Sequence, residues 1–130
     1  IDGNILGFRN SWYRGAVETA APYDIAPNVK IRVVTSAYFL ATKLEAFADR
    51  GKGDFLGSRD LEDIISVVNG REELIDEIEN APNDVRAFIC TTIAELLSLR
   101  GFIDSVPGHL NPDESRIGIV MGRLRLLANT

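Results

Sequence analysis

A lysine and an aspartate lie on the apolar faces of two consecutive amphipathic segments, and this pair restricts the fold more than any other feature of the sequence. At about 100° per residue, Phe39, Leu40, Leu44 and Phe47 share one arc of a helix that also holds Lys43, while Glu45 and Asp49 point the other way. In the following segment Leu61, Ile64, Ile65, Val67 and Val68 form the apolar arc. Asp60 falls within it, Asp63 at its edge and Glu62 on the solvent side. A charge left alone against a hydrophobic core is costly, so Lys43 and Asp60 are expected to meet each other or a shared ligand. The connection Arg50-Gly-Lys-Gly-Asp-Phe-Leu-Gly-Ser58 is too rich in glycine for a helix, and Ser58 is a good N-cap for the second segment. Helices joined by a short loop pack antiparallel, which would bring Lys43 within reach of Asp60.

The 130 residues, 45% of them hydrophobic, form at most one domain and can bury a real core. A net charge of -5 argues against electrostatically driven nucleic-acid binding, although a local Arg/Lys patch can still touch phosphate. Cys90 is the one cysteine, which excludes an internal disulfide and favours a reducing, cytoplasmic setting. Its place after Phe88 and Ile89 suits core packing. No apolar run approaches the about 20 residues of a membrane span, and the N-terminus lacks a signal pattern. The start at Ile1-Asp2-Gly3, with no initiator methionine, suggests a fragment or part of something longer.

The pattern predicts an α+β fold that is predominantly helical, with one small β element, as a single domain over residues 1–130. Residues 11–20 suit a short helix. The alternating segment 30–34 suits a strand whose start, Val29-Lys30, pairs with residues 23–25 across Ala26-Pro27-Asn28. Thr35 or Ser36 then caps the Lys43 helix. Further helices are expected at 71–80 (Leu74, Ile75 and Ile78 inward), at 83–100 (Val85, Phe88, Ile89, Ile93, Leu96 and Leu97 inward) and at 112–128 (Ile117, Val120, Met121, Leu124 and Leu127 inward). Residues 101–111 read as a loop with a short turn around Phe102 and Ile103. Phe39, Leu44, Phe47, Ile64, Val68, Phe88, Ile93 and Leu124 are expected in the core.

Lys43, Arg59, Asp60 and Asp63 form the one group with chemical potential. A lysine can bind phosphate as a point charge, and neighbouring carboxylates can orient it or accept a proton. The alternative is a structural ion pair that carries no chemistry. Gly51-Lys52-Gly53 and Gly57-Ser58 lack P-loop spacing and read as an interhelix loop. His109 has no second ligand at zinc spacing, so no metal site is expected. The acidic run Glu72, Glu73, Asp76, Glu77 and Glu79 reads as a solvated face. Trp12 and Tyr13, beside Phe8 and Arg9, can stack on a base or anchor the N-terminal segment to the core.

Tyr38-Phe-Leu-Ala-Thr-Lys-Leu-Glu-Ala-Phe47, followed by Arg50-Gly-Lys52 and Ser58-Arg-Asp-Leu-Glu-Asp-Ile64, resembles the AbiEii/AbiGii toxin-like nucleotidyltransferases, where a Lys-Leu-x-Ala helix precedes an Arg-Asp-x-x-Asp helix. Ile5-Leu-Gly-Phe-Arg-Asn-Ser-Trp-Tyr13 looks like one branch of the same proteins. The resemblance implies the helical portion of a polymerase-β-like nucleotidyltransferase fold. It also implies that Lys43 and Asp60 act in catalysis and that Lys43, Arg59 and Asp63 contact the nucleotide. In that class a Gly-Ser or Gly-Gly loop and an Asp-x-Asp pair hold the nucleoside triphosphate and magnesium. Neither motif is present here, so the chain is expected to begin roughly where that catalytic subdomain ends and to be catalytically incomplete alone. Asp2, the only carboxylate near the start, does not replace the missing pair. Magnesium and NTP are thus expected only for an intact parent protein, with an RNA acceptor or an antitoxin as candidate partners. The competing expectation is a noncatalytic helical interaction module whose Lys43–Asp60 pair is structural.

Overall fold

The computed structural model describes residues 10–51, 53–110 and 114–130. Helix α1 (Tyr13–Thr19) leads into a hairpin of β1 (Ala21–Ala26) and β2 (Val29–Val33). Helix α2 (Ser36–Ala46) continues through a π-helical turn at Phe47–Gly51, and α3 (Arg59–Gly70), α4 (Leu74–Glu79) and α5 (Asn83–Leu97) come next. The chain ends with α6 (Arg100–Ser105), a 3-10 turn at Val106–His109 and α7 (Glu114–Ala128). The fold is predominantly helical with one small β element, as the polarity pattern implies. No helix among the described residues is long and apolar enough to cross a membrane.

In the antiparallel hairpin Ala21 pairs with Val33, Asp24 with Lys30 and Ala26 with Val29, so Ile25 is skipped as a bulge. Asn28 turns the chain at φ 64°, a left-handed conformation that asparagine tolerates better than most residues. The strand starts one residue earlier than its alternation suggests, and Val34 lies beyond it, exposed.

Helix α2 packs against α1, α3, α4 and α5, while α7 closes over α3, α4 and α5. Leu40, Ala41 and Leu44 meet Leu61, Ile64, Ile65 and Val68 of α3, Val85, Ile89 and Ile93 of α5, and Val120, Leu124 and Leu127 of α7 in one continuous core. Two expected core residues are only half-buried. Phe88 is covered from one side by Trp12, their ring centroids 5.0 Å apart, so the N-terminal aromatic acts as an anchor. Phe39 lies at the edge of α2 with the Lys43 ammonium 5.6 Å above its ring. Phe8 and Arg9 lie outside the described residues.

Of the stretch expected to be a loop, 101–111, residues 101–109 are helical, and Asn111, with Pro112 at the expected start of the last helix, lies outside the described residues. Helix α5 stops at Leu97, and Leu99, extended at φ -98° and ψ 117°, restarts the chain as the N-cap of α6. Gly101 therefore lies inside a new helix rather than ending the old one. Phe102 and Val106, spaced four apart, are both fully buried. Phe102 meets Phe55 edge-on at 6.3 Å, and Phe55 meets Phe47 at 5.8 Å, so a run of rings ties the α2–α3 connection to the core. His109 Nε2 also bonds the Phe55 carbonyl, a second tie on the same connection.

Candidate functional site

Ser58 caps α3 by accepting from the Leu61 N–H at 3.2 Å, and this sets Asp60 in the first turn, pointing back at α2. The Asp60 side chain is only 6% exposed. Arg50, carried toward it by the π-helical turn, grips the carboxylate with both prongs: Nε donates to Oδ2 at 2.9 Å and Nη2 to Oδ1 at 3.0 Å. Lys43 Nζ stands 3.7 Å from Asp60 Oδ1 and 2.8 Å from Asp63 Oδ2. Of the sequence-predicted set, Lys43, Asp60 and Asp63 thus converge, with partners redistributed, while Arg59 is exposed outside this network of contacts. Asp60 belongs chiefly to Arg50, and the close partner of Lys43 is Asp63, one turn further along α3.

Arg50 is the residue that sequence reading missed, because the glycine-rich connection appeared to start there. Its signal was present: Arg50 lies seven residues after Lys43, so a helix continued past Phe47 carries both cations on one stripe.

Hydrogen bonding from Arg50 pushes the Asp60 pKa below the usual carboxylate range; burial opposes this, and the charges of Arg50 and Lys43 reinforce it. The Arg50 guanidinium is correspondingly pushed up by the same bond. Two cations and two carboxylates make the cluster neutral as a whole. Its outer members are open to water, with Lys43 26% and Asp63 43% exposed.

Beside the cluster a depression of about 330 Å³ is lined by Arg50, Asp54, Gly57, Ser58, Arg59 and Asp60. Arg59 is exposed at this depression. The Gly57 N–H already donates to Asp54 Oδ1 at 2.9 Å, which takes one amide away from any phosphate cradle. Lys52 lies outside the described residues, so the Gly51-Lys52-Gly53 reading does too. Among the described residues no group of three or more His, Cys, Asp or Glu side chains is arranged to hold a metal ion. Asp60 and Asp63 do not fit magnesium, since each already faces a cation.

Two further residues singled out in the sequence make contacts within the fold. Cys90 is half-buried, its Sγ 2.8 Å from the Ala128 carbonyl oxygen. Glu77 is more than part of a solvated face: it accepts both prongs of Arg71, at 2.6 and 2.7 Å, and the Ser36 hydroxyl at 2.9 Å. Its pKa is pushed down, first by the Arg71 hydrogen bonds.

No family model, no curated protein and no solved structure matches this chain.

Proposed function

We propose that this chain is the C-terminal helical part of a nucleotidyltransferase-like protein of the AbiEii type, in which the α2–α3 face steadies the triphosphate of an NTP donor. The observation that carries the reading is the position of Lys43. Its ammonium is held 2.8 Å from Asp63 and 3.7 Å from Asp60, over the Phe39 ring, and still keeps a water-accessible face. Lysine binds phosphate as a point charge, and a lysine already restricted loses less rotamer freedom on doing so. In this reading Lys43 is the phosphate contact, Asp60 orients it, Asp63 pairs with it while no ligand is bound, and Arg59 is a second cation, exposed at the depression beside Asp60. The resemblance places magnesium on an Asp-x-Asp pair that these 130 residues do not contain.

A second reading, a noncatalytic helical interaction module, is favoured by the Arg50 fork on buried Asp60. That contact braces the α2–α3 pair whether or not a ligand binds.

A labelled-nucleotide transfer assay separates the two. It uses this chain and the product of the entire reading frame that encodes it, each with magnesium, all four NTPs and RNA ends as acceptors. The first reading expects transfer by the reading-frame product and none by the 130 residues alone. Transfer by the 130 residues would show that the active site has been misassigned. A reading-frame product inactive with every donor would leave the module.

A further inference from the structure

Resting on the reading of Lys43 as a phosphate contact, we propose that Asp63 is the exchangeable counterion of that lysine. It occupies the phosphate position until an anionic ligand displaces it, and Arg50 keeps Asp60 out of the exchange.

The two carboxylates beside Lys43 are not equivalent. Asp60 is almost sealed, and both of its oxygens accept from Arg50. If the ammonium turned away, Asp60 would remain paired, so no unpartnered charge would be left in the core. Asp63 makes the shorter contact to Lys43 but is 43% exposed, so its carboxylate can leave for water at little cost. Each member of the outer pair can therefore part from the other while the inner pair holds. The Phe39 ring, 5.6 Å from the ammonium, adds a support for the cation that does not depend on Asp63. A polyphosphate, with more charge than one carboxylate, competes well for a point-charge ammonium. In this arrangement the resting site carries its own anion, and ligand affinity is lowered by the strength of the Lys43–Asp63 pair.

The test is a titration of the 130-residue chain with inorganic tripolyphosphate at low salt, monitored by NMR at the Lys43 side chain and the α2 amides. Asp63→Asn removes the competitor and is expected to tighten binding about two- to fivefold, the range that an exposed ion pair corresponds to. Glu62→Gln makes the same change in net charge on the solvent side of α3 and is expected to leave binding nearly unchanged. Lys43→Ala is expected to abolish the response. Asp63→Ser is a second version of the variant should the amide disturb packing. If Asp63→Asn and Asp63→Ser match Glu62→Gln while binding still requires Lys43, Asp63 is not the competitor and the proposed function stands. If no variant shows Lys43-dependent binding, both fall.

Discussion

Replacing Arg50 with methionine keeps most of the aliphatic stem and removes the fork on Asp60. The carboxylate would be left with Lys43 at 3.7 Å as its remaining cation in the cluster. Hydrogen bonds to a charged group are worth about 1.5–3 kcal/mol. The about 3–5 kcal/mol of a fully buried broken pair does not apply, because the Arg50 side chain is 53% exposed and Lys43 stays close. Unfolding entropy of about 2.1 cal/mol/K per residue over the 130 residues gives about 0.27 kcal/mol/K, so Tm should fall by about 6–11 °C. Arg50→Lys, which restores the charge without the two-pronged geometry, should recover only part of that loss. The pH dependence has a definite sign. A carboxylate held below its ordinary value stabilises the fold above that value, and this contribution disappears as pH falls through the depressed folded value. The gap between wild type and Arg50→Met should therefore be full at about pH 7 and narrow as pH drops below 3.8, the ordinary carboxylate value. The Glu77 contribution is common to both proteins and cancels. Urea unfolding monitored by circular dichroism across this range measures the gap. An Arg50→Met variant as stable as wild type at neutral pH, or a gap that does not change on acidification, would refute the assignment of Asp60 to Arg50.

Gly15→Ala should destabilise the protein by about 1–3 kcal/mol, because a Cβ there would run into the Tyr38 ring; thermal melting would reveal it, with Gly118→Ala, where the space is open, as the tolerated control. Phe102→Ala should cost about 3–5 kcal/mol, since the ring is fully buried beneath the α2–α3 connection. A urea midpoint that barely moves would mean that residues 101–111 are the surface loop their sequence suggests.

The helical hairpin of α2 and α3 was legible because its apolar arcs have the period of a helix, and a lysine and an aspartate out of place on those arcs define a meeting point. The small β element was legible from alternation and from Pro27-Asn28. The α5–α6 break was not. Residues 83–100 hold one helical period, and only the extended backbone at Leu99 interrupts it, a choice made by the burial of Phe102 and Val106 rather than by local propensity. Gly101 looked like a helix end because glycine is favoured just past a helix C-terminus. Within the site, Lys43, Asp60 and Asp63 were identified from phase alone. Arg50 was hidden because Gly51 and Gly53 imply a loop, whereas a π-helical turn carries the chain far enough to aim the guanidinium at Asp60. Which carboxylate each cation takes depends on distances of about an ångström or less, and helical phase does not encode them.

The most direct test of the central claim, that Lys43 acts on phosphate rather than on the fold, is the ratio of transfer activity to stability for Lys43→Ala in the product of the entire reading frame. The outer pair with Asp63 is partly exposed and Asp60 keeps Arg50, so loss of the ammonium should cost about 0–1 kcal/mol of stability, or at most about 4 °C in Tm. A phosphate contact made in the transition state should lower kcat/KM by about 100-fold or more. Near-normal melting with transfer reduced to that extent is the result expected here. Full activity in Lys43→Ala, or an activity loss no larger than the loss of folded protein, would leave Lys43 as scaffolding.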